Sequence, residues 1–204
     1  MRSMLLFVSL AALLVATTAL AAAPQRVTIA ASRPSVVYGG SVTLSGKVSG
    51  GKAGENVDVL AEPFGTSSFA ALTTVATTSG GHWSDVVHPT IETGYKARWN
   101  TATSSTVTVK VRPLITLALV NLSSRTFSTK VTAARTFAGK FVLVQRLTPT
   151  GPTTVKKVIL NSSSSATFHV RLHRGRSRLR VVMPTSQTAP GYITGASKVL
   201  TVRR

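Results

Sequence analysis

The feature that most constrains the fold is a strand-corner-strand pattern that occurs twice in the chain. The first copy, 83–99, reads WSDVVHPTIETGYKARW, and Pro89 and Gly94 mark a corner between two alternating runs. The second copy, 168–183, reads FHVRLHRGRSRLRVVM. Alternation of apolar and polar residues is typical of a β-strand with one buried face. We therefore predict an all-β chain built twice from one plan.

Aligning the second copy with the first preserves apolar character at most positions, as a repeated core requires. The alignment pairs Phe168 with Trp83, Leu172 with Val87, His173 with His88, Leu179 with Tyr95, Val181 with Ala97 and Met183 with Trp99. The last run, 197–202, falls on 104–109. Tyr95 is predicted to form a tyrosine corner, with its ring in the core and its hydroxyl bound to backbone at 89–91.

The remaining runs define the architecture. Between residues 27 and 111, seven short alternating runs stand about 8–12 residues apart, with turn residues between them and no helical periodicity, which predicts an antiparallel β-sandwich. From Pro113 onward the plan repeats, with runs at 114–119, 126–131, 141–145 and 154–160. We predict two sandwiches, module 1 (24–112) and module 2 (113–204), and limited hinge motion because the join is short.

The first residues predict export. Arg2 precedes an apolar run at 4–19, and Ala19-Leu20-Ala21 matches a small-x-small cleavage pattern. We interpret 1–21 as a signal peptide cleaved after Ala21, which leaves no membrane span. The alternative is an uncleaved N-terminal anchor, because the apolar run approaches the length of a membrane span. The expected location is extracellular or at the cell surface.

The chain contains no Cys. Small exported domains often depend on disulfides, so each module must be held together by burial alone. The absence also excludes thiol catalysis, Fe–S clusters and Cys-rich zinc sites. No cofactor is predicted.

The sequence offers little for catalysis, and no enzyme is predicted. The five carboxylates all lie in module 1: Glu55, Asp58, Glu62, Asp85 and Glu92. Glycoside hydrolysis needs a facing pair, whereas Asp58 and Glu62 share a strand face about 13 Å apart. No nucleophile elbow, phosphate loop or H-E-x-x-H motif occurs. His82, Asp85 and His88 would not converge on a strand, so no metal site is predicted.

Several segments of module 1 resemble the Ig-like repeats of secreted and cell-surface proteins of bacteria, particularly actinobacteria. They are YGGSVTLSGKV, AGENVDVL, GGHWSDVVHPTIETGYKARW and SSTVTVKV, which together cover most of 27–111. Module 2 departs from the pattern, because Leu179 replaces the tyrosine and no Trp is present. The resemblance implies two tandem Ig-like sandwiches, with a role in adhesion, spacing or ligand display and without catalysis.

Charge separates the two modules. Module 1 has 8 Lys/Arg and 5 Asp/Glu, whereas module 2 has 15 Lys/Arg and no acidic residue. Such a polycation attracts anionic polymers generally, and we predict an anionic cell-wall polymer or acidic polysaccharide as the partner. Compositional bias towards Arg in a GC-rich genome is the alternative explanation, since 10 of the 15 cations are Arg.

The most concentrated charge lies in the second copy of the repeated pattern, interpreted as a hairpin with its apolar residues inward. The predicted polyanion-binding residues are Arg171, Arg174, Arg176, Arg178 and Arg180. Two alternatives stay open. A carbohydrate-binding module would use exposed Trp83, Trp99 or Tyr192. A DNA-binding surface protein would use Arg174, Arg176 and Arg178, although the chain lacks interleaved exposed aromatics there.

Overall fold

A computed structural model describes residues 24–204. The predicted signal peptide, 1–21, lies outside these residues. The described chain is almost entirely β-structure, which confirms the predicted all-β class. Helix in residues 24–204 is limited to a 3-10 turn at Ser79–Gly81 and a short α-helix, α1, at Thr185–Thr188.

Strands form at nearly every alternating run. In module 1 they are β1 Ala30–Ala31, β2 Ser35–Val37, β3 Val42–Lys47, β4 Asn56–Pro63, β5 Ala70–Ala76, β6 His82–Val87, β7 Thr93–Trp99, β8 Ala102–Thr103 and β9 Val107–Arg112. In module 2 they are β10 Leu114–Asn121, β11 Thr126–Thr132, β12 Phe141–Thr148, β13 Gly151–Ile159, β14 Ser165–His169, β15 Arg176–Met183, β16 Gly195–Ala196 and β17 Leu200–Arg203.

Module 1 packs two sheets face to face. One has the order β1-β3-β6 and the other β2-β9-β7-β4-β5, with β8 paired to β7. Neighbouring strands are antiparallel except β2 and β9, which run parallel. Pro34, which lacks a backbone N–H, stands where the chain leaves the first sheet for the second. The inward residues of both sheets form the core.

Module 2 follows the same plan. Its smaller sheet has the order β10-β11-β14, and its larger sheet has the order β13-β12-β15, with β16 and β17 both paired to β15. Its core is aromatic in one sheet, where the rings of Phe127 and Phe168 stack at 6.1 Å. In the other sheet Leu179, Val181 and Met183 are fully buried.

The two modules share a serine motif at equivalent positions, which confirms the predicted repeat. In module 1 the Ser104 hydroxyl accepts a bond from the Ala97 N–H (2.9 Å) and donates to the carbonyl of the next residue (2.8 Å). In module 2 the Ser197 hydroxyl accepts from the Val181 N–H (2.9 Å) and also donates to the carbonyl of the next residue (2.8 Å). The alignment of the two copies predicts both correspondences, Val181 with Ala97 and 197–202 with 104–109.

Among the glycines of module 1, Gly46 allows the closest approach of a neighbouring segment of the chain. It stands opposite Trp83 in the pairing of β3 with β6. A Cβ atom at this position would lie 1.9 Å from the Thr28 carbonyl oxygen and 2.7 Å from the Trp83 indole nitrogen. The indole therefore packs over the one position of β3 that carries no side chain.

The segment 191–194, between α1 and β16, joins the modules through backbone hydrogen bonds. The Glu92 N–H donates to the Gly191 carbonyl (3.0 Å), and the Ile193 N–H donates to the Val111 carbonyl (3.0 Å). Module 2 therefore contacts module 1 both at the corner between β6 and β7 and along the end of β9.

Side chains reinforce this junction. The Arg112 guanidinium donates to the Thr194 carbonyl (2.7 Å). The Tyr192 side chain is 2% exposed; its hydroxyl donates to the Thr90 carbonyl across the junction (2.7 Å) and accepts from the Ala134 N–H (3.1 Å). Burial raises the pKa of Tyr192, which keeps the hydroxyl proton available to Thr90.

The predicted tyrosine corner is wrong in its hydrogen bond. The Tyr95 ring is buried as expected, but among the described residues its hydroxyl interacts with the Thr93 side chain and makes no hydrogen bond to backbone at 89–91. The Thr93 hydroxyl donates to the Ile91 carbonyl (2.8 Å), and the Thr90 carbonyl receives Tyr192. The tyrosine hydroxyl that binds the backbone of this corner in module 1 therefore belongs to Tyr192 of module 2.

Candidate anion-binding face

Strand alternation sets the direction of three of the five predicted arginines. In β15 the arginines alternate with the buried residues Ser177, Leu179 and Val181. Arg176 and Arg178 are exposed, and Arg180 is half-buried. The Arg180 Nε donates to the Gln145 side-chain oxygen (2.9 Å), which holds that guanidinium on the outer surface. These three cations therefore point out of the larger sheet of module 2.

The predicted hairpin is wrong, because β14 and β15 belong to different sheets. β14 pairs with β11, whereas β15 pairs with β12 and β17, so the segment 170–175 crosses from one sheet to the other. Arg171 lies in this crossing, where its carbonyl accepts from the Arg146 guanidinium (2.5 Å), which also contacts His173. Arg174 is exposed at the turn before β15.

The structure adds two cations that the sequence did not indicate. Arg203, in β17, stands directly opposite Arg176 in β15. Arg204 exchanges two backbone hydrogen bonds with Gly175, each of 3.0 Å, which extends the same pairing by one residue. Both arginines are exposed. The sequence alone does not place them beside β15, because they are distant from it along the chain and lie next to it only through the pairing of β15 with β17. We call Arg176, Arg178, Arg180 and Arg203 the arginine face.

The charge on this face is not compensated by neighbouring side chains. Module 2 contains no Asp or Glu, and the single salt bridge among residues 24–204 joins Arg98 to Asp58 in module 1 (2.8 Å). There the Arg98 guanidinium holds the pKa of the Asp58 carboxyl below its ordinary value. Like charges directly opposite each other on neighbouring strands are destabilising, and Arg176 with Arg203 is such a pair. The arrangement is one that an anion would stabilise.

The aromatic residues considered for sugar stacking are buried. Trp83 is 3% exposed and Trp99 is 6% exposed. The Trp99 indole donates to the Glu55 carboxylate (3.3 Å), and Tyr192 is enclosed at the junction. None of these three rings presents a face to solvent, so the carbohydrate-binding alternative lacks the residues on which it depended.

The carboxylates and histidines of module 1 do not gather into one site. Asp58 is engaged by Arg98 and by the Thr74 hydroxyl (2.7 Å). In the part of the chain that the structure describes, no three His, Asp or Glu side chains lie close enough to share a metal ion. That part also contains no helix of the length and apolarity needed to cross a bilayer.

Fold and surface together define a class: an all-β protein of two β-sandwich modules, the second of which is strongly cationic. A scan of family models matches no family, and a search of curated proteins finds no match.

Comparison with solved structures returns proteins of low identity. The chain is similar to a tetra-tandem repeat in the extending region of a large adhesion protein, with TM-score 0.36 and 12% identity. The match covers 88% of this chain and 49% of that one, so the chain spans about half the length of that neighbour. It is also similar to a marsupial T cell receptor, with TM-score 0.35 and 9% identity, covering 89% of this chain and 100% of that one. Alpha-2-macroglobulin of E. coli matches with TM-score 0.33 and 10% identity, over 87% of this chain and 16% of that one.

Proposed function

We propose that the chain is a secreted, non-catalytic Ig-like protein of bacterial type that associates with the cell envelope. In this proposal 24–112 and 113–204 are its two domains, and the second holds the protein to anionic polymer by electrostatic contact. The observation that supports it is the arginine face, where exposed cations stand side by side in a module that contains no acidic side chain.

The physical basis is the release of counterions. A polyanion that contacts several arginines gives up condensed cations, so its affinity falls steeply as salt rises. Arg also forms bidentate hydrogen bonds with phosphate and carboxylate groups, which adds to the Coulomb attraction. Module 1, with nearly balanced charge, would act as a spacer or display module without taking part in this contact.

Salt elution tests the proposal. The full chain is bound to intact cells in low salt, and the bound fraction is measured as NaCl is raised. With about four ionic contacts, affinity should fall about 60-fold between about 50 and 200 mM salt, from a log-log slope near −3. Retention at high salt would overturn the proposal.

Parallel elutions separate the alternatives. Free sugars should leave the protein bound, since no predicted sugar-stacking ring is exposed. A salt-dependent shift of duplex DNA in a gel, abolished by Arg174→Glu, Arg176→Glu and Arg178→Glu, would favour the DNA-binding reading if cell-wall polymer bound no better than DNA.

A further inference from the structure

We propose that the arginine face binds a linear phosphodiester polymer in an extended form, lying along β15. This rests on the proposed function and names the ligand class within it. We call a row one arginine of β15 together with the hydrogen-bond donor directly opposite it on a neighbouring strand. The distance between successive rows along β15 determines which ligand fits.

Each of three rows combines an arginine of β15 with a second donor on a neighbouring strand. Arg176 stands opposite Arg203, and Arg178 stands opposite Thr201 in β17. Arg180 stands opposite Gln145 in β12. The Gln145 side-chain oxygen already accepts from Arg180, so its amide N–H groups are directed away from that bond. Three successive anionic groups would therefore each meet two donors.

The spacing favours one charge per repeat unit of a polyol phosphate. Alternate residues of a strand are about 6.6 Å apart, and directly opposite side chains begin about 5 Å apart. In polyphosphate the distance between neighbouring charges is much shorter than the distance between successive rows. The backbone of duplex DNA curves away from a straight strand. An extended phosphodiester chain follows the rows, with one phosphate at each.

The chemistry of the cations favours phosphate. Every cation on β15 and β17 is Arg, although module 2 also contains five Lys. The guanidinium group offers a planar fork of donors suited to oxyanions, whereas Lys acts as a point charge. A tetrahedral phosphodiester has two non-bridging oxygens in different directions. One can take the arginine of β15 and the other the donor on the next strand.

The test uses the full chain and fluorescently labelled poly(glycerol phosphate), with binding measured by anisotropy at several salt concentrations. The face variant is Arg176→Gln with Arg178→Gln. The control is Lys130→Gln with Lys140→Gln, which removes the same charge from exposed positions in β11 and before β12. Thermal unfolding in NaCl buffer, without any polyanion, verifies that both variants fold. The face variant should be at least as stable as the natural sequence, because it removes the repulsion between Arg176 and Arg203.

The face variant should lower the log-log salt slope by about 1.5, since each phosphate contact contributes about 0.7–0.9. The affinity of the face variant at low salt should fall at least tenfold. In the control variant, the salt slope and the logarithm of the affinity should each change by no more than about a quarter of the change in the face variant. Equal losses in both variants would overturn the site and leave the proposed function standing, because binding would then follow net charge alone. Failure of the natural sequence to bind any polyanion at low salt would overturn both. Tighter binding of polyglutamate or polyphosphate at equal charge would overturn the phosphodiester assignment.

Discussion

Replacing Tyr192 with Phe removes a single oxygen from the junction and keeps the ring, which packs edge-on against Phe137 at 5.8 Å. That oxygen makes two hydrogen bonds, to the Thr90 carbonyl at 2.7 Å and from the Ala134 N–H at 3.1 Å. Each bond contributes about 1 kcal/mol net, and a buried group left without a partner costs about 1–3 kcal/mol. Both hydrogen bonds are partly buried and Thr90 and Ala134 are exposed residues, so we use the lower values of this range. We expect a loss of about 2 kcal/mol in the free energy of unfolding.

Two probes in one urea titration show where this loss falls. Both Trp residues lie in module 1, so tryptophan fluorescence reports its unfolding, whereas far-ultraviolet circular dichroism reports both modules. Because one of the two bonds crosses the junction, a substitution in module 2 should lower the fluorescence midpoint of module 1 as well. Tyr95→Phe is the control, since Tyr95 is equally buried and its hydrogen-bond partner, Thr93, lies in the same module; it should cost less than about 1 kcal/mol. An unchanged fluorescence midpoint in Tyr192→Phe would refute the coupling of the modules.

Two further substitutions test features of module 1. Gly46→Ala should destabilise the protein by about 3 kcal/mol or more, because the new Cβ would lie 1.9 Å from the Thr28 carbonyl oxygen; a urea midpoint near that of the natural sequence would contradict this close approach. Asp58→Asn should cost about 0.5 kcal/mol at pH 7, the usual contribution of an exposed ion pair such as Asp58 with Arg98. Since the pKa of Asp58 is lower in the folded state, that difference should be complete above about pH 4 and vanish as the pH falls through the folded-state value. A gap that widens on acidification in a series of denaturation curves would contradict it.

Local alternation was sufficient to predict the strands and the repeat. The period of two residues marks which side chains enter the core, and the buried positions Leu179 and Val181 follow it. The serine motif at Ser104 and Ser197 repeats because the same two strands meet in each module. The alternation depends on neighbouring residues, so it is visible in the sequence, whereas the serine hydrogen bonds depend on strand pairing and were found only in the structure.

Pairing between distant strands was not visible in the same way. A run of alternating residues indicates that one face is buried, but not which sheet the strand joins, so alternation on both sides of 170–175 predicts a hairpin where the chain crosses between sheets. For the same reason Arg203 was missed, since its position opposite Arg176 depends on the register of β17. The Tyr192 hydrogen bond spans 102 residues, and no local pattern predicts a contact of that separation.

The path of the chain after β15 has a consequence for the order of folding. The segment 191–194 docks on module 1 before the chain returns to module 2 as β16 and β17. Domains of a growing or exported chain generally fold from the N-terminus, so a completed module 1 is available when this segment emerges. In that order of folding, we expect the contacts of 191–194 with module 1 to form before β16 and β17 pair with β15, and Arg203 to come opposite Arg176 after them. On this expectation, substitutions at the junction in module 1 would slow the completion of the arginine face in module 2.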